Sequence, residues 1–221
     1  MKPENSKIDP FKIVDDFQRW DESFPDFLFD CVYTIDEASQ KVKSIEHKEY
    51  LEYCANLIQS EKLLVFEKSR RMLASWMGAA YILWKPLFRP FTACHWQGKK
   101  REESNKVLQN RIFPIYKRLP VGYPWPGITT NNKDLPIENN FEIIHDAEKQ
   151  EKSNIYAIAE GADQLRSETS SLLIIDEFAF QDRQIEALAA FGPTVQGGGQ
   201  IIIISTIKPG TGYEMLVKDE F

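Results

Sequence analysis

Short apolar runs alternate with longer stretches of helical periodicity along most of this chain. Residues 63–66 form a four-residue apolar run, and residues 74–87 after it read as a helix. A second run, 91–96, precedes a charged helical stretch from about 99 to 118. Residues 141–145 and 155–159 read as two shorter strands, a candidate hairpin around the polar turn at 148–153. Two further strand-length apolar runs are 172–175 and 201–204. Runs apolar at every position, not alternate ones, predict strands buried on both faces. Strands alternating with helices predict an α/β domain with a mainly parallel sheet. Any one run also fits a buried helix segment. Several in series, each bounded by turn residues, favour the sheet.

The first 60 residues follow a different pattern. They are aromatic-rich (Phe11, Phe17, Trp20, Phe24, Phe27, Phe29), with helical stretches around 10–20 and 47–58. They are expected to form an N-terminal helical segment (1–60) packed on one edge of the sheet of the core (61–221). Pro/Gly punctuation gathers at 119–126 and 197–199 and reads as loops inside one domain.

Composition narrows the class without naming a function. A chain of 221 residues is long enough to bury a core without staples. A hydrophobic content of 43% argues against disorder. No apolar run approaches the roughly 20 residues of a membrane helix, and the N-terminal residues show no apolar signal region. Cys31, Cys54 and Cys94 are odd in number and scattered, which excludes a disulfide framework and a C-x-x-C zinc site and predicts reduced thiols. A net charge of −6 excludes a surface that coats nucleic acid all round, so any such contact is local.

Three segments carry candidate chemistry. In L-L-I-I-D-E, a buried strand ends in Asp176 and Glu177. That puts two carboxylates at the carboxyl end of the sheet, where open α/β folds bind ligands. Such a pair suits a nucleoside triphosphatase, the first acid holding Mg²⁺ and the second orienting or deprotonating water. A strand that merely ends in solvated acids has the same sequence. In L-L-V-F-E-K-S-R-R-M-L-A-S-W, a strand runs through a basic turn into a helix, the topology of a phosphate-binding loop. The usual G-K-[ST] is replaced by Leu73, Ala74 and Ser75, while Lys68, Arg70 and Arg71 stand at the front. A basic helix N-terminus on the surface reads the same way. Finally, Ser205 and Thr206 follow the 201–204 strand directly and would lie beside the Asp176–Glu177 pair if the two strands are neighbours.

In this order and spacing, the chain resembles the ATPase domain of phage terminase large subunits, the motors that package double-stranded DNA. The resemblance spans roughly 27–213. It rests on F-L-F-D-C-V-Y-T-I-D-E, on H-K-E-Y-L ahead of E-K-S-R-R-M-L-A-S-W, on G-A-D-Q-L-R-S-E-T-S-S-L-L-I-I-D-E-F-A-F, and on I-I-I-I-S-T. It implies a three-layer P-loop NTPase fold of the ASCE type, with ATP and Mg²⁺ as ligands. The deviant Walker A, K-S-x-x-x-x-x-S, would be Lys68, Ser69, Arg70, Arg71, Met72, Leu73, Ala74 and Ser75. The resemblance assigns Mg²⁺ to Ser75 and Asp176, water activation to Glu177, γ-phosphate contact to Arg70, a finger acting on a neighbouring subunit to Arg166, and coupling to Ser205 and Thr206.

The same resemblance implies double-stranded DNA, a homo-oligomeric ring on a portal protein and a small terminase subunit as partners, with no membrane and with the host cytoplasm as location. Family members normally continue into a nuclease domain with an acidic metal cluster. The present chain stops soon after the coupling residues, so nuclease activity is not expected of it. Two other readings share some features: a helicase-like nucleic-acid-dependent ATPase, whose G-K-[ST] loop is absent, and a non-hydrolysing P-loop scaffold, which Leu73 and Ala74 fit. His47 stands where helicase-like ATPases keep an adenine contact, though a lone His is more often a packing residue. Lys99, Lys100, Arg101 and Lys106 interleave with Glu102 and Glu103, the pattern of a solvated helix face. Trp84 and Trp96 are expected in the core, and Trp125 is a candidate base-stacking residue.

Overall fold

The computed structural model describes residues 9–36, 39–69, 72–130, 138–161, 170–184, 187 and 197–218. Helices α1 (Pro10–Glu22) and α2 (Phe24–Cys31) lead into a small hairpin, β1 (Tyr33–Asp36) and β2 (Lys41–Ser44), and then α3 (Glu49–Ser60). The core continues with β3 (Leu63–Glu67), α4 (Ala74–Phe88), β4 (Ala93–Gln97), α5 (Arg101–Val107) and α6 (Phe113–Lys117), the last two joined by a π-helical turn at Leu108–Ile112. It is completed by β5 (Gly127–Ile128), β6 (Asn140–Asp146), β7 (Glu151–Ile158), β8 (Leu172–Asp176), β9 (Gln200–Ser205) and α7 (Gly212–Val217).

Seven strands form one sheet in the order β3-β9-β8-β4-β7-β6-β5. β3, β9, β8, β4 and β7 are parallel; β6 and β5 run antiparallel at one end. β6 and β7 form the hairpin expected from the sequence. Every side chain of Leu172–Ile175 and Ile201–Ile204 is fully buried. At roughly 1.5–3 kcal/mol per buried aliphatic side chain, these two strands anchor the sheet. They contribute to cores on both of its faces: Ile174, Ile202 and Ile204 to one, Leu173, Ile175, Ile201 and Ile203 to the other. The expectation of burial on both faces fails for β3. It is an edge strand with Leu63 45% exposed, because only β9 pairs with it.

The N-terminal helices α1 and α2 pack on the core chiefly through α4: the Phe24 ring meets Tyr81 edge-on at 4.8 Å, and the Trp84 indole N–H donates to the Trp20 carbonyl at 2.6 Å. α4 is apolar nearly all round, and the Phe17 and Trp20 rings of α1 also meet Trp125, just before the edge strand β5. Sequence patterning missed α2 as a separate helix. It starts at Ser23, whose hydroxyl accepts from the Asp26 N–H, with Pro25 in the first turn. The charged helical stretch expected after β4 is present over 101–117, with a π turn inside it between α5 and α6. On its sheet side, α4 carries Gly78 where an added Cβ would come within 3.0 Å of Ile204 Cδ1, so the glycine lets the helix backbone approach β9.

Candidate active site

Because β3, β9 and β8 are adjacent and parallel, their carboxyl ends share one edge of the sheet. Lys68 leaves β3 there, Ser205 ends β9, and Asp176 ends β8. The expectation that Ser205 and Thr206 neighbour the acid pair holds, since β8 and β9 are hydrogen-bonded partners.

Four of the expected side chains meet directly. The Lys68 ammonium lies 3.0 Å from Glu177 Oε1 and 3.4 Å from Ser75 Oγ, and the Ser75 hydroxyl donates to Asp176 Oδ1 at 3.2 Å. Residues 109 apart in sequence are thus joined through one cation. Burial raises the proton affinity of the Asp176 carboxyl above its ordinary value. Lys68 pulls it back down, Glu177 pushes it up, and Arg111 and the Ser75 hydroxyl pull it down. A buried carboxylate beside a cation and a hydroxyl is a poised electrostatic site.

Backbone geometry supports the same edge. Leu73 caps the start of α4 in the left-handed conformation, φ +59°. This is the position where the standard loop carries glycine, so the glycine-like backbone is kept with a leucine at a strain of roughly 1–2 kcal/mol. The Leu73 side chain offsets part of this by packing on the core. Glu177 is also left-handed, φ +52°, and begins a 3₁₀ turn, Phe178–Phe180. Non-glycine residues held in this region cluster at functional sites. Ser69 and Met72 lie exposed between Lys68 and Leu73, Ala74 is buried, and α4 aims its N-terminal N–H groups at the same edge. Arg70, Arg71 and Arg166 lie outside the described residues.

Ser205 ties the strand ends together. Its hydroxyl accepts from the Ala179 N–H at 3.0 Å and donates to the Thr206 carbonyl at 3.0 Å, and its own carbonyl accepts from the Lys68 N–H at 2.9 Å. Several participants escaped the sequence reading. The fully buried Tyr213 of α7 donates its O–H to the Phe66 carbonyl at 2.9 Å, and its N–H donates to Gln184 Oε1 at 3.0 Å. Gln184 in turn donates to the Ala179 and Gln181 carbonyls. Buried Gln97, at the end of β4, donates to Gln181 Oε1 at 2.7 Å, and Gln181 donates to the Asp176 carbonyl at 3.1 Å. Arg111, on the π turn, lies over the Trp76 ring at 5.7 Å. Lone glutamines and an arginine in a charged helix carry no spacing signal.

Other candidates fall elsewhere. His47 pairs with Glu52 at 2.9 Å and packs on Phe29. Lys99 pairs with Asp182 at 2.9 Å, while Lys100, Arg101 and Lys106 are exposed. Trp84 and Trp96 are core residues, and Trp125 packs face to face on Trp20 at 5.7 Å within an aromatic cluster. Cys31, Cys54 and Cys94 are free thiols. No helix among the described residues is long and apolar enough to cross a membrane.

The mainly parallel, helix-flanked sheet, with its loop-to-helix junction and strand-end carboxylates on one edge, is the P-loop NTPase fold. Within that class, the chain has the fold of phage large terminase ATPase domains. Two structures of the large terminase ATPase domain of Thermus phage P74-26, one of them a mutant, superpose with TM-scores of 0.59 and 0.55 at 15% identity. Each match covers 76% of this chain and 68% of that one. The large terminase of bacteriophage HK97 superposes with a TM-score of 0.61 at 13% identity, over 90% of this chain and 40% of the HK97 chain. No protein-family model and no curated protein sequence matches.

Proposed function

We propose that the chain is the ATPase domain of a viral DNA-packaging terminase large subunit, which couples ATP hydrolysis to movement of double-stranded DNA into a procapsid. The observation that carries the reading is the convergence of Lys68, Ser75, Asp176 and Glu177 at the ends of adjacent parallel strands. Likeness of fold to terminase ATPase domains supports it.

ATP binds with its phosphates at the N-terminus of α4, where the N–H groups and the helix dipole favour anions. Lys68 reaches the β/γ-phosphates from the front of the loop, in place of the missing lysine at Ala74. The Ser75 hydroxyl and the Asp176 carboxylate, 3.2 Å apart, are hard oxygen donors suited to Mg²⁺. The described residues hold no cluster of three metal-ligating side chains, and Mg²⁺ needs none, since phosphates and waters supply most of its ligands. When bound, Mg²⁺ neutralises charge on the β- and γ-phosphates. Glu177 lets go of Lys68, orients the attacking water and takes its proton. Arg70 contacts the γ-phosphate, and Arg166 stabilises charge on the ATP of a neighbouring subunit. Ser205 and Thr206 join the phosphate loop to the turn after Glu177 and pass the change on. Assembly as a ring on a portal, with a small terminase subunit, in the host cytoplasm, completes the proposal.

Phosphate release under Mg–ATP tests the reading. Glu177→Gln should bind ATP without turning it over, and turnover surviving in it would refute the role. Mixing Arg166→Ala with Glu177→Gln chains should restore part of the activity, since each supplies what the other lacks. No restoration would place Arg166 within its own subunit.

A further inference from the structure

The π-helical turn between α5 and α6 presents Arg111 to the same edge of the sheet. Its guanidinium lies over the indole of Trp76, 5.7 Å from the ring centroid, and Trp76 directly follows Ser75 in the first turn of α4. The contact fixes the plane and direction of an otherwise flexible side chain. The Arg111 side chain is half-buried, its charge acts on the Asp176 carboxylate, and among the described residues its guanidinium makes no hydrogen bond and no close ion pair. A half-buried guanidinium with no hydrogen bond among the described residues, held on the ring of the residue after Ser75 and within electrostatic reach of Asp176, is placed to receive an anion at this edge. π turns inside α-helices are frequent at functional sites, and the extra residue re-aims a side chain that regular α geometry would point elsewhere.

The loop itself explains why a second cation is needed. Ala74 stands where a lysine would ordinarily meet the terminal phosphates, and Lys68 enters from the opposite end of the loop. Lys68 is already shared between Glu177 and Ser75, so one ammonium serves several oxygens. A planar guanidinium offers paired donors that match a phosphate.

We infer that Arg111 contacts the terminal phosphate of the nucleotide bound in its own chain, from the Trp76 side of the loop opposite Lys68. The inference rests on the nucleotide site proposed above and adds a residue to it. It differs from the role given to Arg166, which acts on a neighbouring subunit.

Titration calorimetry with a non-hydrolysable Mg–ATP analogue and with Mg–ADP tests it, on the parent chain, Arg111→Met and Arg111→Lys. Methionine keeps an apolar stem on Trp76 and removes the charge; lysine keeps the charge and loses the paired donors. Arg111→Met should weaken the triphosphate analogue about tenfold or more and ADP by less than about twofold. Arg111→Lys should recover part of that loss. Equal losses on both nucleotides would make Arg111 a cover for α4 and overturn the inference, as would parent-like binding of both. If Arg111→Met fails to fold, Arg111→Lys decides alone: parent-like affinity for the analogue overturns the inference, and a selective loss on the analogue upholds it. A parent chain that binds neither nucleotide overturns the nucleotide site and this inference with it. Parent binding with an indifferent Arg111 overturns the inference only.

Discussion

The Lys68–Glu177 pair makes a quantitative demand on nucleotide binding. At 3.0 Å, Coulomb attraction between unit charges is worth about 1.4 kcal/mol in bulk water and about 5.5 kcal/mol at an effective dielectric of 20. The Glu177 side chain is 47% exposed and Lys68 14%, so solvent screening brings the net value to about 1 kcal/mol. Phosphates entering the loop must take Lys68 from Glu177 and then sit beside a carboxylate. Glu177→Gln removes both costs while keeping the side chain's shape. Mg–ADP should therefore bind this variant about fivefold more tightly than the parent, one kcal/mol being close to that factor. ADP is the right probe because nothing is hydrolysed during the titration. The gain should shrink as salt is raised, since it is electrostatic and partly exposed. Unchanged or weaker binding of ADP by Glu177→Gln would refute the idea that the free site is held closed by its own ion pair.

Three further outcomes follow from the geometry. Leu73→Gly should alter stability to chemical denaturation by less than about 1 kcal/mol, because relief of left-handed strain offsets lost packing, whereas Leu73→Val should cost more than that; equal tolerance of both would contradict the φ of +59°. Tyr213→Phe removes the O–H donated to the Phe66 carbonyl and should cost about 1–1.5 kcal/mol in denaturant titration, with an unchanged midpoint counting against the latch between α7 and β3. Burial lowers the His95 pKa from its ordinary 6.5 to about 4, so the unfolded chain takes up a proton the folded one refuses between those values. Stability contributed by neutral His95 is present above pH 6.5 and is lost as pH falls toward 4, by up to about 3 kcal/mol. His95→Gln should flatten the pH dependence of thermal unfolding in that window, and an unaltered slope would contradict it.

What the sequence disclosed was set by how local the signal is. The L-L-I-I and I-I-I-I runs announce buried parallel strands because every position is apolar, and Asp176, Glu177, Ser205 and Thr206 follow from where those strands stop. Lys68 and Ser75 were legible as the two ends of one loop. Their meeting with Glu177 was not, since it depends on strand order across a long separation. β3 looked as apolar as its neighbours yet lies at the edge, because composition does not say which strand has only one partner. The π turn at Leu108–Ile112 escaped notice because its residues pattern as an ordinary charged helix. Arg111 escaped with it. Gln97, Gln181, Gln184 and Tyr213 act through contacts between distant elements, for which no spacing rule exists. Leu73 is the instructive case: read as a missing glycine, it adopts the glycine conformation regardless, so the shape of the loop outlasts its usual residue.

The proposed function requires that a deviant loop led by Lys68 binds nucleotide phosphates. Calorimetric titration of Mg–ATP into the purified chain and into Lys68→Ala tests it most directly, because binding does not require a second subunit. Saturable binding to the parent is expected, with a loss of about tenfold or more in Lys68→Ala, the effect of removing one charge-assisted phosphate contact. Equal affinity of the two proteins would contradict a phosphate-binding role for Lys68. Failure of the parent to bind would leave the strand-end constellation without the ligand proposed for it.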